Sequence, residues 1–326
     1  MKNPTPEVLL EALEKDIVAL EFGTSPANLY DPLRYMMQLG GKRLRPMLCL
    51  LAYQLFDNQW QNALVPAISI EVFHNFTLIH DDLMDNAPLR RNQATVHQKW
   101  NPNVAILSGD VMLVKVYDLL LEKVPHIHLK TVLQAFNLCA AQVCEGQQLD
   151  MDFETSEGIS KGDYLKMIEL KTAVLLGFAL ELGGILGGAN SEEAHLLRKI
   201  GIEAGIGFQL QDDFLDVYGD PKTFGKQVGG DIIENKKTYL LLDALEKAKG
   251  ETAKELQYWL QENQKPAEKV AAIRQIYDQL EVGKATKERY QAYFTQAVLG
   301  LERLPLSDTR KNPLRNLFHT LFMREK

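Results

Sequence analysis

Apolar residues recur at helical spacing along most of the chain. Val8, Leu9, Leu13, Ile17, Val18 and Leu20 mark an amphipathic helix after Pro4 and Pro6. The same periodicity predicts helices over 43–56, 66–85, 104–122, 128–152, 161–187, 191–218 and 236–248. Smaller ones follow over 251–262, 266–279, 284–302 and 310–324. Turn-forming residues punctuate them at Gly40-Gly41, Asn86-Ala87-Pro88, Asn101-Pro102, Gly183-Gly184, Gly187-Gly188, Gly219-Asp220-Pro221 and Gly229-Gly230. Runs of β-branched residues alternating with polar ones are absent, and no Pro/Gly/Ser-rich linker divides the chain. The pattern predicts an all-α fold: a single-domain helical bundle over residues 1–326 with a central cavity.

Composition narrows the function classes. A hydrophobic share of 46% and a charged share of 24% exclude wholesale disorder. The net charge of −7, 36 basic minus 43 acidic residues, argues against a partner made of nucleic-acid phosphates. Cys49, Cys139 and Cys144 stand outside any C-x-x-C spacing, which suggests a reducing compartment without a zinc ribbon. The opening residues lack an apolar signal region. The most apolar segment, 173–189, is short, carries Glu181 and holds five glycines, so it reads as a packed core helix. A cytoplasmic protein with no stable membrane insertion is expected.

Two carboxylate clusters change the picture. The helix over 66–85 ends in Asp81-Asp82-Leu83-Met84-Asp85, and that over 191–218 ends in Asp212-Asp213-Phe214-Leu215-Asp216. Residues i and i+4 share a helix face, so each cluster places like charges together near a C-terminus, where the helix dipole already disfavours them. Two such arrangements inside apolar helices call for a cation. Oxygen-only ligands favour a hard ion such as Mg²⁺, which commonly shares substrate phosphates.

Basic residues stand where a diphosphate site needs them. Gly40-Gly41-Lys42-Arg43-Leu44-Arg45-Pro46 sets a glycine turn before a helix start, where backbone N–H groups favour an anion. Arg90-Arg91 follows the first aspartate cluster, and Lys171-Thr172 interrupts an apolar helix. Lys226, Lys236 and Lys237 follow the second cluster. Each alone reads as a solvated surface charge; their joint order does not.

With Ser108-Gly109-Asp110, Gly146-Gln147 and Asp150, and Phe208-Gln209-Leu210-Gln211 added, the sequence resembles the trans-isoprenyl (polyprenyl) diphosphate synthases over residues 40–239. The resemblance implies the isoprenoid synthase fold, a homodimer, and both aspartate motifs facing each other at the mouth of a deep cavity. It implies that Asp81 and Asp85 bind two Mg²⁺ ions and Asp212 a third, with Asp216 close by and Asp82 and Asp213 as supporting charges. Lys42, Arg45, His74 and Arg91 would hold isopentenyl diphosphate. Arg90, Lys171, Gln209, Lys226 and Lys236 would hold the allylic diphosphate, with Thr172 beside the developing cation. The implied reaction is head-to-tail prenyl transfer, with Lys171, Thr172 and Lys226 nearest the chemistry. The product tail would grow along the helix that bears Asp81, so Phe73, Phe76 and Thr77 would set a short product, C15 to C20, leaning to C20. Asn92 and Asn101 replace glycines usual in the family, and Ser160-Lys161-Gly162-Asp163 replaces a more acidic helix start. Asn tolerates a left-handed backbone best after glycine, so the turn at 92 can survive.

Three rival readings are weaker. A di-iron bundle uses Glu-x-x-His pairs, and Glu71/His74 and Glu192/His195 have that spacing. The second follows Asn190-Ser191 and reads as an N-cap with an acidic first turn, and a di-iron site leaves the basic residues without a role. A class I terpene cyclase lacks a second aspartate repeat. A regulatory prenyl-binding subunit would not need both motifs intact.

Overall fold

The computed structural model describes residues 4–219, 229–262 and 264–323. The helical periodicity becomes α1 (Pro6–Val18), α2 (Ala27–Gln38), α3 (Leu44–Gln54), α4 (Leu64–Met84), α5 (Val96–Lys99), α6 (Pro102–Lys123), α7 (His126–Thr155), α8 (Lys161–Ile168), α9 (Val174–Gly187) and α10 (Ser191–Tyr218). Further helices cover Gly230–Ile233, Tyr239–Lys247, Gly250–Gln261, Pro266–Gln279, Val282–Glu302 and Asp308–Phe322. Among the described residues the only sheet is a hairpin of Leu89–Arg90 against Gln93–Ala94. The fold is all-α.

Several elements depart from the periodicity. Helix α2 was not expected, because Pro32 lies inside it. Burial of Leu33, Met36 and Met37 outweighs that local penalty. The helix expected over 161–187 is interrupted by a π turn at Glu169–Ala173. The one expected over 236–248 begins at Tyr239, where Thr238 accepts from the Leu241 N–H, so Lys236 and Lys237 precede it.

Packing groups the chain into two compact units. One comprises Met1–Leu138, Phe178–Arg198 and Leu304–Leu314. In it α4 lies along α6, with α1, α2 and α3 packed around them. A knot of rings fills the core: Phe73 lies 5.5 Å from Phe76 and 5.2 Å from Phe136, which in turn meets Tyr117 and Phe178. Arg43, the left-handed residue before α3, is buried and ties three helices together. Its Nε donates to Glu14 of α1 (2.8 Å), its Nη1 to Glu71 of α4 (2.7 Å) and its Nη2 to the Met37 carbonyl of α2 (3.0 Å).

The other unit comprises Cys139–Gly177, Lys199–Arg303 and Arg315–Lys326. Tyr164, Met167 and Ile168 pack with Ile206, Leu210, Tyr290 and Phe294. Lys237 donates to the Phe153, Glu154 (3.2 Å) and Ser156 (2.7 Å) carbonyls and so caps the end of α7. Two helical stretches, Trp60–Met84 and Lys161–Gly187, are long and apolar enough to cross a membrane, yet 61% and 78% of their most apolar windows are buried in the protein. Glu181 is buried against Arg198 at 2.7 Å, as a core helix requires.

Candidate active site

The first aspartate motif closes α4. Asp85 is its C-cap, with its N–H on the Asp81 carbonyl at 2.9 Å. Asp82 turns inward and is 1% exposed, whereas Asp81 keeps a fifth of its side chain exposed and Asp85 is exposed. Arg90 neutralises the inner carboxylate, donating Nε to Asp82 Oδ1 at 2.9 Å and Nη2 to the same oxygen. Burial pushes the Asp82 pKa up, against the pull of Arg90. The motif therefore presents its i and i+4 carboxylates and keeps the middle one for structure.

Arg91 and Asn92 form the two-residue loop of the hairpin, with φ of 52° and 62°. Positive φ at both positions marks a type I′ turn, and Asn92 takes it without glycine. Arg91 donates through Nη1 to the Gly40 carbonyl. Gly41 has φ of 149°, and a Cβ there would sit 3.1–3.3 Å from the Arg91 guanidinium, so glycine lets the arginine lie against this backbone. Lys42 is exposed alongside.

Arg45 Nη1 lies 3.1 Å from His74 Nε2. Arginine can only donate, so Nε2 accepts and the imidazole is neutral with its proton on Nδ1. Burial first, then Arg45, Arg91, Arg90 and Arg43, holds the His74 pKa well below its ordinary value. The result is a neutral ring amid cations, an environment suited to an anion. Below about pH 6.5 the unfolded chain takes up a proton at this position that the folded one refuses, so His74 subtracts stability as pH falls. His74→Gln is expected to flatten that acid limb, read as the difference between wild-type and variant urea midpoints from pH 7.5 down to pH 5. Parallel curves would refute it.

The second motif lies in the other unit. Asp213 is buried, while Asp212 and Asp216 are partly exposed, so inner and outer carboxylates divide as in the first motif. Asp213 accepts from Gln209 Nε2 at 3.0 Å and from the buried Tyr164 hydroxyl. Burial and Asp231 push Asp213 up to about 7, while Tyr164, Gln209 and Lys236 pull the other way. Asp216 accepts from the Asp231 N–H at 3.1 Å, in the first turn of Gly230–Ile233. Lys171 pairs with Asp150 at 2.6 Å, and Thr172 Oγ1 donates to Gln209 Oε1 at 3.3 Å.

The structure thus brings Arg45, His74, Arg90 and Arg91 near one another in one unit, with Asp81 beside Arg90. In the other it joins Thr172, Gln209 and Asp213, and places the charge of Lys236 within reach of Asp213. Lys226 lies outside the described residues. Phe73 and Phe76 sit in the ring knot, and Thr77, partly buried, donates to the His74 carbonyl at 2.8 Å. The rival metal reading loses support at both pairs: Glu71 belongs to Arg43, and His195 Nδ1 lies 2.6 Å from the Ser191 carbonyl in the first turn of α10, whose start is capped by Asn190 and Glu193. Sequence reasoning gave Tyr164 and Asp150 no role; a buried tyrosine amid acids shows itself only once the helices are packed.

The polyprenyl synthetase family model matches residues 26–280. A geranylgeranyl diphosphate synthase of Methanosarcina mazei is 41% identical over 226 residues, 69% of each chain. A crystal structure of a geranylgeranyl pyrophosphate synthase superposes with a TM-score of 0.94 at 41% identity, over 99% of this chain and 100% of that one. A polyprenyl synthase from Caulobacter crescentus, solved with calcium and isoprenyl diphosphate, gives 0.82 at 26% identity over 98% and 95%.

Proposed function

Since this chain belongs to the polyprenyl synthetase family, and is a trans-prenyltransferase of the short-chain isoprenyl diphosphate synthase type, we propose that it condenses isopentenyl diphosphate with an allylic diphosphate in a Mg²⁺-dependent, head-to-tail reaction. The observation that carries this reading is the neutral His74 among four arginines, one of which, Arg90, also neutralises the inner carboxylate of an aspartate motif.

The residues fit a hard divalent ion. Asp81, Asp85, Asp212 and Asp216 offer oxygen donors that are not fully buried, while Asp82 and Asp213 are buried. Among the described residues no three His, Cys, Asp or Glu side chains gather into a ready cage. Mg²⁺ suits such an arrangement, since it is commonly held by one or two carboxylates and substrate phosphates. When bound, it supplies charge to the departing allylic diphosphate; three ions are part of this proposal. Lys42, Arg45, His74 and Arg91 hold isopentenyl diphosphate. Arg90, Lys171, Gln209, Lys226 and Lys236 hold the allylic diphosphate and stabilise its leaving charge. The allylic C–O bond breaks with its electron pair on the diphosphate. The isopentenyl double bond then attacks the allylic carbon, and a proton passes to the departing diphosphate. Thr172 lies beside the developing cation, which the protein must keep from water.

Product length rests on Phe76 and Phe73, buried rings at successive depths of α4, with Thr77 beside them. Incubation with isopentenyl diphosphate, Mg²⁺ and dimethylallyl, geranyl or farnesyl diphosphate is expected to yield C15 to C20, chiefly geranylgeranyl diphosphate. Phe76→Ala is expected to lengthen the product, and Phe73→Ala added to it to lengthen it again. Chromatography showing C30 and beyond from the wild type, or unchanged products from the double variant, overturns the length; no product from any primer overturns the function.

A homodimer fits the outer side of α6. Leu107, Val114 and Leu121 repeat every seven residues and are 57%, 59% and 53% exposed, an apolar seam that a second copy can cover.

A further inference from the structure

We propose that Gly146 and Gly205 are positioning residues: together they form a backbone socket that holds the π turn bearing Lys171 and Thr172. The inference rests on the assignment of those two side chains to the allylic substrate.

The turn is an i→i−5 insertion, with the Val174 N–H bonded to the Glu169 carbonyl. Such turns carry one residue more than an α turn and are rare, so the surroundings must hold them open. Two helices meet this one backbone to backbone. A Cβ on Gly146 of α7 would lie 2.1 Å from the Lys171 nitrogen and 2.6 Å from its Cα. A Cβ on Gly205 of α10 would lie 2.6 Å from the Ala173 Cα and 2.7 Å from its Cβ. No side chain fits at either position without moving the turn.

Each helix adds a polar latch one turn after its glycine, on the same face. On α7, Asp150 follows Gly146 by four residues and pairs with Lys171 at 2.6 Å. On α10, Gln209 follows Gly205 by four and accepts from Thr172 Oγ1 at 3.3 Å. Gln209 passes the constraint on to Asp213 at 3.0 Å. A glycine fixes where the turn's backbone lies, and the latch fixes where its side chain points. Displacing the turn by the length of a methyl group therefore misplaces both reacting-site side chains at once, a displacement of about 1 Å that can cost on the order of 10²-fold in turnover.

The test uses Gly146→Ala and Gly205→Ala, with Gly201→Ala as control. A Cβ at Gly201 meets the Leu176 carbonyl oxygen at 2.5 Å and the Gly177 Cα at 2.6 Å, a comparable clash past the turn. Both socket variants are expected to lower kcat with the allylic substrate by about 10²-fold, with the KM for isopentenyl diphosphate changed by less than about twofold. Amide hydrogen exchange should rise over residues 169–174 in both and stay near wild type there in Gly201→Ala. Wild-type turnover and exchange in either socket variant overturns the proposal. So does the same kinetic pattern in Gly201→Ala, or failure of both socket variants to fold, which would leave these glycines a purely structural role. Lys171→Ala separates the premise: if it keeps full turnover, the assignment of Lys171 fails, whatever the glycine variants do.

Discussion

Asp81→Ala is expected to lose turnover by about 10³-fold or more while melting no earlier than the wild type. A bound divalent ion is worth several kcal/mol of charge stabilisation in a transition state, and each 1.36 kcal/mol is about tenfold in rate. Asp81 is 3.8 Å from Arg90, which keeps its closer bonds to Asp82, and its removal relieves the i, i+4 repulsion with Asp85. Activity and stability should therefore separate. Asp212→Ala is expected to behave alike, whereas Asp82→Ala should lose stability as well, because it strands Arg90. Steady-state rates across a Mg²⁺ titration, alongside thermal melts, check this; full activity in Asp81→Ala would remove the metal assignment.

Arg43→Met is expected to destabilise the fold by about 3–5 kcal/mol, the range seen when one partner of a buried ion pair is removed. Arg43 is 2% exposed and Glu71 is 3% exposed, so the variant leaves a carboxylate in the core without its cation. Glu14, half exposed, can return to water. Arg43→Met with Glu71→Met is expected to recover most of the loss, since a buried pair replaced by apolar groups of similar volume is often neutral or better. Urea unfolding of the three proteins decides the matter; a loss below about 1 kcal/mol in the single variant would show that the clamp carries little.

The same residue shows where sequence reading stops. Lys42, Arg43 and Arg45 look like one basic patch in the chain. Packing sends Arg43 inward, leaves Lys42 exposed and sets Arg45 against His74. The long helices were legible because their apolar stripes repeat for many turns. Helix α2 was not, because Pro32 hides twelve residues whose helical state depends on burial. The π turn escaped for a related reason: one extra residue barely disturbs the apolar periodicity of a helix this long. Both carboxylate motifs and their spacing could be read directly, yet which oxygens face outward depends on Arg90 and Tyr164, brought in from elsewhere in the chain.

The hairpin over 89–94 makes its two adjacent arginines non-redundant. Arg90 closes the strand and reaches an aspartate, while Arg91 opens the turn and reaches a glycine carbonyl. Arg90 lies in extended backbone and Arg91 in a left-handed turn position, so what separates these guanidiniums is backbone conformation rather than distance along the chain. Neither arginine can stand in for the other when one is lost. One residue inserted before Arg90 would shift both arginines relative to the turn while leaving both charges in place. Loop length at this point is thus as much a part of the protein's chemistry as the side chains it carries.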